Sequence, residues 1–268
     1  MNIADLGKLT GPVLIFGGPY SNLQALERLR DVAARHAIAA GNVICTGDVV
    51  AYCADPAATV ALIRDWGCHV VAGNCEKQLA ADAMDCGCGF EQGSTCDLLS
   101  AGWYAHADAQ VTPEARRWMG SLPDMVIFRH EGARHAVIHG GLTDISRFLW
   151  PVSPEAELAQ EIALITSAAG PVDRVLAGHC GVAFTRRVGA VDWVNAGVIG
   201  MPANDGTPRT AYALLDGGVH LRALEYDHAA AHRAMVATGL TQGYHAALLS
   251  GYWPSEDVLP PSLRRVSA

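Results

Sequence analysis

Short apolar runs alternate with helical repeats over the first 75 residues, and this alternation restricts the fold more than any other feature. PVLIF (12–16), NVICT (42–46) and HVVA (69–72) have the length of buried strands. Apolar residues repeat at helical spacing between these runs, in 23–32 and 56–66. A succession of strand and helix predicts an α/β fold whose parallel strands are joined by right-handed crossovers.

The second half of the chain has more strands and fewer helices. We predict strands at 125–129, 135–139, 174–177, 182–188, 191–195, 212–216 and 219–224, and a helix at 154–168. No internal repeat or low-complexity linker interrupts the pattern. We therefore expect residues 1–268 to form one domain, with a Cys/Gly-rich insertion at 84–110 and a C-terminal extension at 241–268.

Charge and hydropathy exclude some classes of protein. The net charge is −8 and Lys and Arg form no cluster, which argues against an extended nucleic-acid partner. The N-terminus lacks the pattern of a secretory signal, and the apolar runs are too short to span a membrane. We expect the protein to be cytoplasmic. The sequence is compatible with a homo-oligomer. The eight cysteines should then be free thiols, because reducing compartments disfavour disulfides.

Polar residues recur where predicted strands stop. Asp48 follows Gly47, Asn74 follows Gly73, His139 precedes Gly140, and His179 follows Gly178. Loops at the carboxyl ends of strands converge on one place in open α/β sheets. An Asp, an Asn and two His residues suit a Zn, Mn or Fe ion with positions left for water or substrate. The sequence therefore predicts a metal site built from these four residues.

Several blocks of the sequence resemble the calcineurin-like metallophosphoesterases, especially the small bacterial phosphodiesterase-like members. The blocks are GDVVAYCADP (47–56), VVAGNCEKQL (70–79), IHGG (138–141), LAGHCG (176–181) and WVNAGVIGMPANDGTPRTAYALLD (193–216). They occur in the family's order. The resemblance implies a four-layer αββα sandwich, with two mixed β-sheets inside and helices outside. It also implies a two-metal centre at which a bound hydroxide attacks the phosphorus of a phosphate ester.

Carried over by the resemblance, Asp48 would be the bridging carboxylate, and Asn74, His139 and His179 would complete the shell of one ion. The shell of the other ion is missing. Gly18 and Tyr20 stand at the Asp and His of the family's Asp-x-His motif, and Gly181 stands at the second histidine of its GHxH block. Cys75 replaces the histidine of the GNH motif, which implies a changed catalytic position, while Glu76 keeps the acidic one.

Three hypotheses follow from this loss. The first is a phosphoesterase with one ion that acts on a small phosphorylated substrate or nucleotide. The turn GGPYSN (17–22) would then hold the phosphate through backbone N–H groups around Gly18 and Asn22 and through the hydroxyl of Tyr20. Arg209 is a further candidate contact for an anionic substrate. The alternative is that GGPYSN has a purely structural role, as a tight strand-to-helix turn.

The second hypothesis is a repurposed metal or redox site. Cys75 and Cys180 are its candidate ligands and would raise the number of ions to two. Cys86, Cys88 and Cys96 are expected to fold over the opening of the same site. The third hypothesis is a binding protein that keeps the fold without catalysis. The retained set of four candidate ligands argues against it.

Overall fold

Eleven strands form two mixed sheets in the structure, a computed structural model that describes residues 1–265. The strands are β1 (Ile3–Lys8), β2 (Val13–Phe16), β3 (Val43–Cys45), β4 (His69–Val70), β5 (Met125–His130), β6 (Ala133–Val137), β7 (Arg174–Ala177), β8 (Phe184–Val188), β9 (Val191–Asn195), β10 (Thr210–Leu215) and β11 (Val219–Leu224). One sheet has the order β1-β5-β6-β7-β9-β8, and the other has the order β11-β10-β2-β3-β4. The predicted parallel pairing of β2, β3 and β4 is confirmed.

In the part of the chain that the structure describes, eight α-helices accompany the sheets. They are α1 (Leu23–Arg35), α2 (Pro56–Trp66), α3 (Asn74–Ala80), α4 (Thr95–Gln110), α5 (Pro113–Ser121), α6 (Glu155–Ala169), α7 (His228–Ala237) and α8 (Tyr244–Ser250). Among the described residues, no helix is both long and apolar enough to cross a lipid bilayer.

Strand β2 explains how the layers stack. Its side chains alternate between two faces, as in any strand. Val13 and Ile15 pack in a cluster that contains residues of both sheets, so this cluster lies between the sheets. Leu14 and Phe16 pack in a second cluster with residues of α1. A third cluster joins the other sheet to Leu158 and the rest of α6. The expected α/β sandwich of two mixed sheets flanked by helices is confirmed.

One strand and five helices were not predicted from the sequence: β1, α3, α4, α5, α7 and α8. Residues 3–8 form β1, which pairs in parallel with β5 at the edge of its sheet, although no strand was predicted there. Within 84–110, the second part is α4, whose N-terminus is capped by the hydroxyl of Ser94. The expectation that all cysteines are free is also wrong, since Cys86 and Cys88 form a disulfide across one glycine.

The C-terminal segment packs back on the sandwich over its described part. Tyr244 and Leu248 of α8 are buried in the core next to α7. Trp253 contacts two of the three apolar clusters, and Leu259 is buried in one of them. Residues 266–268 of the predicted extension lie outside the described residues.

Candidate metal centre

Four loops that follow strands bring Asp48, Asn74, His139 and His179 together. Asp48 and Asn74 come shortly after the parallel strands β3 and β4, and the two histidines come shortly after the parallel strands β6 and β7. Parallel strands present their carboxyl ends at one edge of a sheet. The two edges meet here, since the ring of His139 lies 2.7 Å from the carbonyl oxygen of Thr46 in the other sheet's loop.

The spacing of the four side chains suits a single ion. His139 Nε2 lies 3.0 Å from Asn74 Oδ1, 3.0 Å from His179 Nδ1 and 3.3 Å from Asp48 Oδ2. His179 Nδ1 and Asp48 Oδ2 are 4.0 Å apart. Donor atoms about 2.1 Å from one ion, at tetrahedral or octahedral angles, are separated by about 3.0–3.4 Å. All four side chains are buried.

The orientation of the donor atoms also points to a cation. A carbonyl oxygen accepts a hydrogen bond, so His139 Nδ1 donates to Thr46 and Nε2 carries a lone pair. The amide nitrogen of Asn74 donates to the carbonyl oxygen of Cys86 over 2.9 Å, which turns Oδ1 of Asn74 toward His139. Lone pairs of oxygen and nitrogen therefore face one another at this centre. A bound cation resolves that repulsion, so the residues fit a metal ion.

Charges within the centre shift the pKa values of its members. Burial and the neighbouring His139 lower the pKa of His179 to about 3, which keeps this ring neutral. Burial opposes ionisation of Asp48, but the charge and hydrogen bond of His139 hold its pKa below the usual value. Burial likewise opposes protonation of His139, yet Asp48 raises its pKa. A proton on His139 therefore competes with any cation for the same lone pair.

Glu76 clamps the two loops that carry Asp48 and Asn74. Its carboxylate accepts hydrogen bonds from the backbone N–H groups of Asp48 at 2.8 Å, Val49 at 2.8 Å and Gly73 at 2.9 Å. Burial and the charge of Asp48 raise the pKa of Glu76 to about 7, against the effect of these N–H donors. Sequence reasoning assigned Glu76 no such role. The signal for it was a Glu three residues after the helix-capping Gly73, which is a capping-box position.

Backbone strain is concentrated at this end of the sheets. Nine non-glycine residues within 1–265 have a positive φ, and five of them lie in the loops around the centre. These five are Tyr20 (54°), Ser21 (57°), Asp48 (56°), Tyr52 (34°) and His179 (61°). Such conformations are unfavourable and cluster at functional sites, because the surrounding structure must hold them.

Aromatic rings cover the two glycines at which the resemblance implied further ligands. A Cβ atom at Gly18 would lie 2.5 Å from the ring of Tyr20. A Cβ atom at Gly181 would lie 3.4 Å from the ring of Trp253. Among the described residues, Asp48, His139 and His179 form the one group of three or more His, Cys, Asp or Glu side chains close enough to share an ion.

The turn GGPYSN uses its own polar groups. The N–H groups of Gly18, Tyr20, Ser21 and Asn22 donate to the carbonyl oxygens of Gly47, Asp48, Val49 and Pro19, respectively. The side chain of Asn22 caps α1 through Ala25 and donates to Gly200 and Tyr226. The prediction that Gly18 and Asn22 offer free N–H groups to a phosphate is therefore wrong, whereas the ring of Tyr20 from the same turn lines the cavity described below.

The cysteines beside the centre are buried. Cys75 donates its backbone N–H to Asp48, and burial followed by the charge of Asp48 raises the pKa of its thiol. Burial raises the pKa of Cys180 to about 12, and its sulfur accepts a hydrogen bond from Asn195. Both thiols therefore stay protonated at neutral pH. The remaining candidate, Arg209, is exposed next to β10 and does not line the cavity described next.

A cavity of about 50 Å³, open to solvent at its mouth, adjoins His179. Six aromatic side chains on its lining define what we name the aromatic pocket. They are Tyr20, Tyr52, Phe90, Phe148, Tyr244 and Trp253. Cys96 and Cys180 also line the cavity, whereas Lys, Arg, Asp and Glu are absent from its described lining. Sequence reasoning missed this pocket, because its walls come from segments far apart in the chain.

Comparison with known proteins identifies the family. Residues 21–218, well over half of the chain, match the calcineurin-like phosphoesterase superfamily domain. No curated protein of similar sequence was found.

Solved structures show the same fold. A hypothetical protein from Pyrococcus horikoshii OT3 has a TM-score of 0.71 at 14% identity, over 91% of this chain and 99% of that chain. A metallophosphoesterase from Sphaerobacter thermophilus has a TM-score of 0.66 at 20% identity, over 91% and 100%. The chain belongs to the calcineurin-like phosphoesterase superfamily.

Proposed function

We propose that this protein is a metal-dependent phosphoesterase that hydrolyses a phosphate mono- or diester with a single divalent transition metal ion. The candidate ligands are Asp48, Asn74, His139 and His179, and the ion is Zn, Mn or Fe. One observation carries this proposal: four donor atoms converge, and the partners of His139 and Asn74 turn lone pairs inward. A proton on His139 would relieve the same repulsion, but the spacing of four donor atoms around one point supports a cation there.

When bound, a divalent ion would polarise a phosphoryl oxygen and lower the pKa of a water molecule. The protein supplies the remaining parts. Ionised Asp48 offsets the charge of the cation, and Glu76 keeps its loop in place. His179 lines the aromatic pocket, which supports an approach of the substrate from that side. Cys75 does not line the pocket, so we assign its thiol to packing behind the ligands.

The number of ions is part of the proposal. Tyr20 and Trp253 cover Gly18 and Gly181, and this supports one ion per chain over two. We further propose that the described residues act as one phosphoesterase domain, with the segments 84–110 and 241–265 placed around the mouth of the site. Cys96 and Trp253 on the lining support this arrangement.

The second candidate function is a repurposed site with thiol ligands. The observation that favours it is the contact of the Asn74 amide with the sulfur atoms of Cys75 at 3.5 Å and Cys88 at 3.4 Å. Against it, Cys88 is bonded to Cys86, and burial raises the pKa of Cys75. A metal that is retained in Cys75→Ser but lost in His179→Ala would exclude this candidate.

Hydrolysis assays test the first proposal. The protein is reconstituted separately with Zn²⁺, Mn²⁺ and Fe²⁺ and given 4-nitrophenyl phosphate and bis(4-nitrophenyl) phosphate. We expect activity that falls by more than about 100-fold in Asp48→Ala, because both the ligand and its charge are removed. Asp216→Ala, in the exposed hairpin turn, is the matched control and should keep full activity. Equal activity of Asp48→Ala and Asp216→Ala would contradict the proposal.

A further inference from the structure

We propose that the aromatic pocket binds an uncharged, planar aromatic group of the substrate, so that the natural substrate is an aromatic phosphate ester. The inference rests on the proposed phosphoesterase function and names its substrate class. Water adds to phosphorus, the P–O bond to the organic group breaks, and that group leaves as an alcohol that takes up one proton. The reaction therefore needs no co-reactant besides water.

The pocket occupies the place at which the resemblance implied the second ion's ligands. The ring of Tyr20 lies over Gly18, and the ring of Trp253 lies over Gly181. Polar ligands are thus replaced by two glycines and two large rings. Polar metal ligands at this place would disfavour an apolar group of a substrate, whereas aromatic rings bury such a group favourably. This exchange changes what can sit beside His179.

One wall of the pocket is a contiguous set of tyrosines. The rings of Tyr20 and Tyr52 meet edge to face with centroids 4.8 Å apart. Tyr52 also contacts Tyr244, with 4.5 Å between the centroids. Burial raises the pKa of Tyr20 and Tyr52 well above the usual value, which keeps both phenols neutral. This wall therefore offers ring surface and neutral hydroxyl groups.

A second group of aromatic rings on the lining starts at a candidate metal ligand. The ring of Phe148 lies against His179 with 4.3 Å between the centroids. Phe90 stacks on Phe148 with a centroid distance of 6.1 Å. A phosphate ester bound at the metal centre would therefore direct its organic group toward Phe148 and the rest of the aromatic lining. Aromatic pairs of this kind contribute to binding beyond the burial of their area.

The pocket is also pre-organised. Trp253 donates its indole N–H to the carbonyl oxygen of Pro202 over 2.7 Å and its backbone N–H to Asn204 over 2.8 Å. Asp257, four residues further on, accepts a hydrogen bond from the backbone of Thr95 at the start of α4 over 3.0 Å. Fixed rings bind a planar ligand without the entropy cost of ordering flexible side chains.

The absence of charge on the described lining selects against other esters. Lys, Arg, Asp and Glu are all missing from it. A substrate with further phosphate or ammonium groups would lose their hydration without gaining a partner, which is unfavourable. Sugar and glycerol esters would leave several hydroxyl groups against apolar rings. An uncharged aromatic group meets neither obstacle.

The test compares two phosphonates that resist hydrolysis. Benzylphosphonate and butylphosphonate are titrated by calorimetry into the full chain loaded with Zn²⁺ or Mn²⁺. We expect benzylphosphonate to bind at least about tenfold more tightly, since its ring packs against the aromatic lining. Trp253→Ala and Phe90→Ala should each reduce this preference. The side chain of Phe90 is only half-buried, so the fold tolerates its removal. Trp118→Ala, a half-buried tryptophan of α5 outside the pocket, is the control that keeps the preference.

The outcomes separate the two proposals. Equal affinities for the two phosphonates, in protein that hydrolyses bis(4-nitrophenyl) phosphate, would overturn the aromatic subsite and leave the phosphoesterase function standing. No binding of either phosphonate together with no hydrolysis would overturn both. A benzyl preference that Trp253→Ala leaves unchanged would also overturn the assignment of the pocket.

Discussion

His139 Nδ1 lies 2.7 Å from the carbonyl oxygen of Thr46, and this hydrogen bond links the two sheets at the metal centre. It fixes which nitrogen of His139 carries the proton, so that Nε2 presents a lone pair to the other candidate ligands. Such outer partners orient a metal-ligating histidine and raise its basicity. The metal centre and the packing of the sandwich therefore depend on the same contact.

We predict that metal affinity falls with decreasing pH, starting above pH 6.5. The charge of Asp48 raises the pKa of His139 against the effect of burial, so below that raised pKa a proton occupies the lone pair that the ion needs. Affinity should be constant above this pKa and fall by about tenfold per pH unit below it, if one proton is displaced. Calorimetry in two buffers of different ionisation enthalpy counts the proton released. An affinity independent of pH from 5 to 8 would contradict the prediction.

Glu76→Gln should weaken both folding and metal binding. An amide replaces one carboxylate oxygen with a donor, which then faces a backbone N–H group of Asp48, Val49 or Gly73. We expect a loss of about 2–4 kcal/mol in the free energy of unfolding and a metal affinity about 10–100-fold lower. Urea titration of the metal-free protein and metal titration measure the two effects. Glu155→Gln, an exposed substitution in α6, should change neither.

We predict that the Cys86–Cys88 disulfide supports the candidate metal ligand Asn74. The amide nitrogen of Asn74 contacts the carbonyl oxygen of Cys86 and the sulfur of Cys88, which hold Oδ1 toward His139. The double variant Cys86→Ser/Cys88→Ser should bind metal about tenfold more weakly, because the turn is no longer closed. Competition with a chromophoric chelator measures the affinity. Cys68→Ser, distant from the centre, is the control, and an equal affinity of both variants would show that the disulfide is irrelevant to the ligand.

The sequence predicted the elements that carry the candidate ligands and missed those that surround them. Strands such as β2 and β3 are short apolar runs whose pattern needs no tertiary context. Strand β1 has the sequence IADLGK, with a glycine and charged residues, and forms because β5 offers a free edge. Pairing of that kind is a property of the folded chain and leaves no local signal.

The site shows the same division. Asp48 and His179 follow glycines at strand ends, which is a local pattern. The contact of Trp253 with Gly181 joins residues 72 positions apart, and no local sequence pattern predicts a contact over that separation. The turn at Asn22 was ambiguous for another reason. The same sequence fits an anion-binding turn and a helix cap. Only the partners of the backbone N–H groups decide between the two, since Gly18 donates to Gly47 and Asn22 donates to Pro19.

Reintroducing the family's aspartate at Gly18 should destabilise the protein. The Cβ atom of Gly18→Asp would lie 2.5 Å from the ring of Tyr20, so the ring must move. We expect a loss of about 2–4 kcal/mol in the free energy of unfolding, from overpacking and from the positive φ of 29°. Gly132→Asp is the matched control, since Gly132 also has a positive φ but open space around it. The excess loss at Gly18 should shrink when Tyr20→His is combined with Gly18→Asp, and an undiminished loss would contradict the clash.

The most direct test of the account is the metal content per chain, measured by mass spectrometry of protein purified without chelator and then reconstituted with Zn²⁺ or Mn²⁺. We predict one equivalent per chain in the wild type and almost none in His179→Ala, while Cys75→Ser keeps one equivalent. Two equivalents in the wild type, or full retention in His179→Ala, would contradict a single ion held by Asp48, Asn74, His139 and His179.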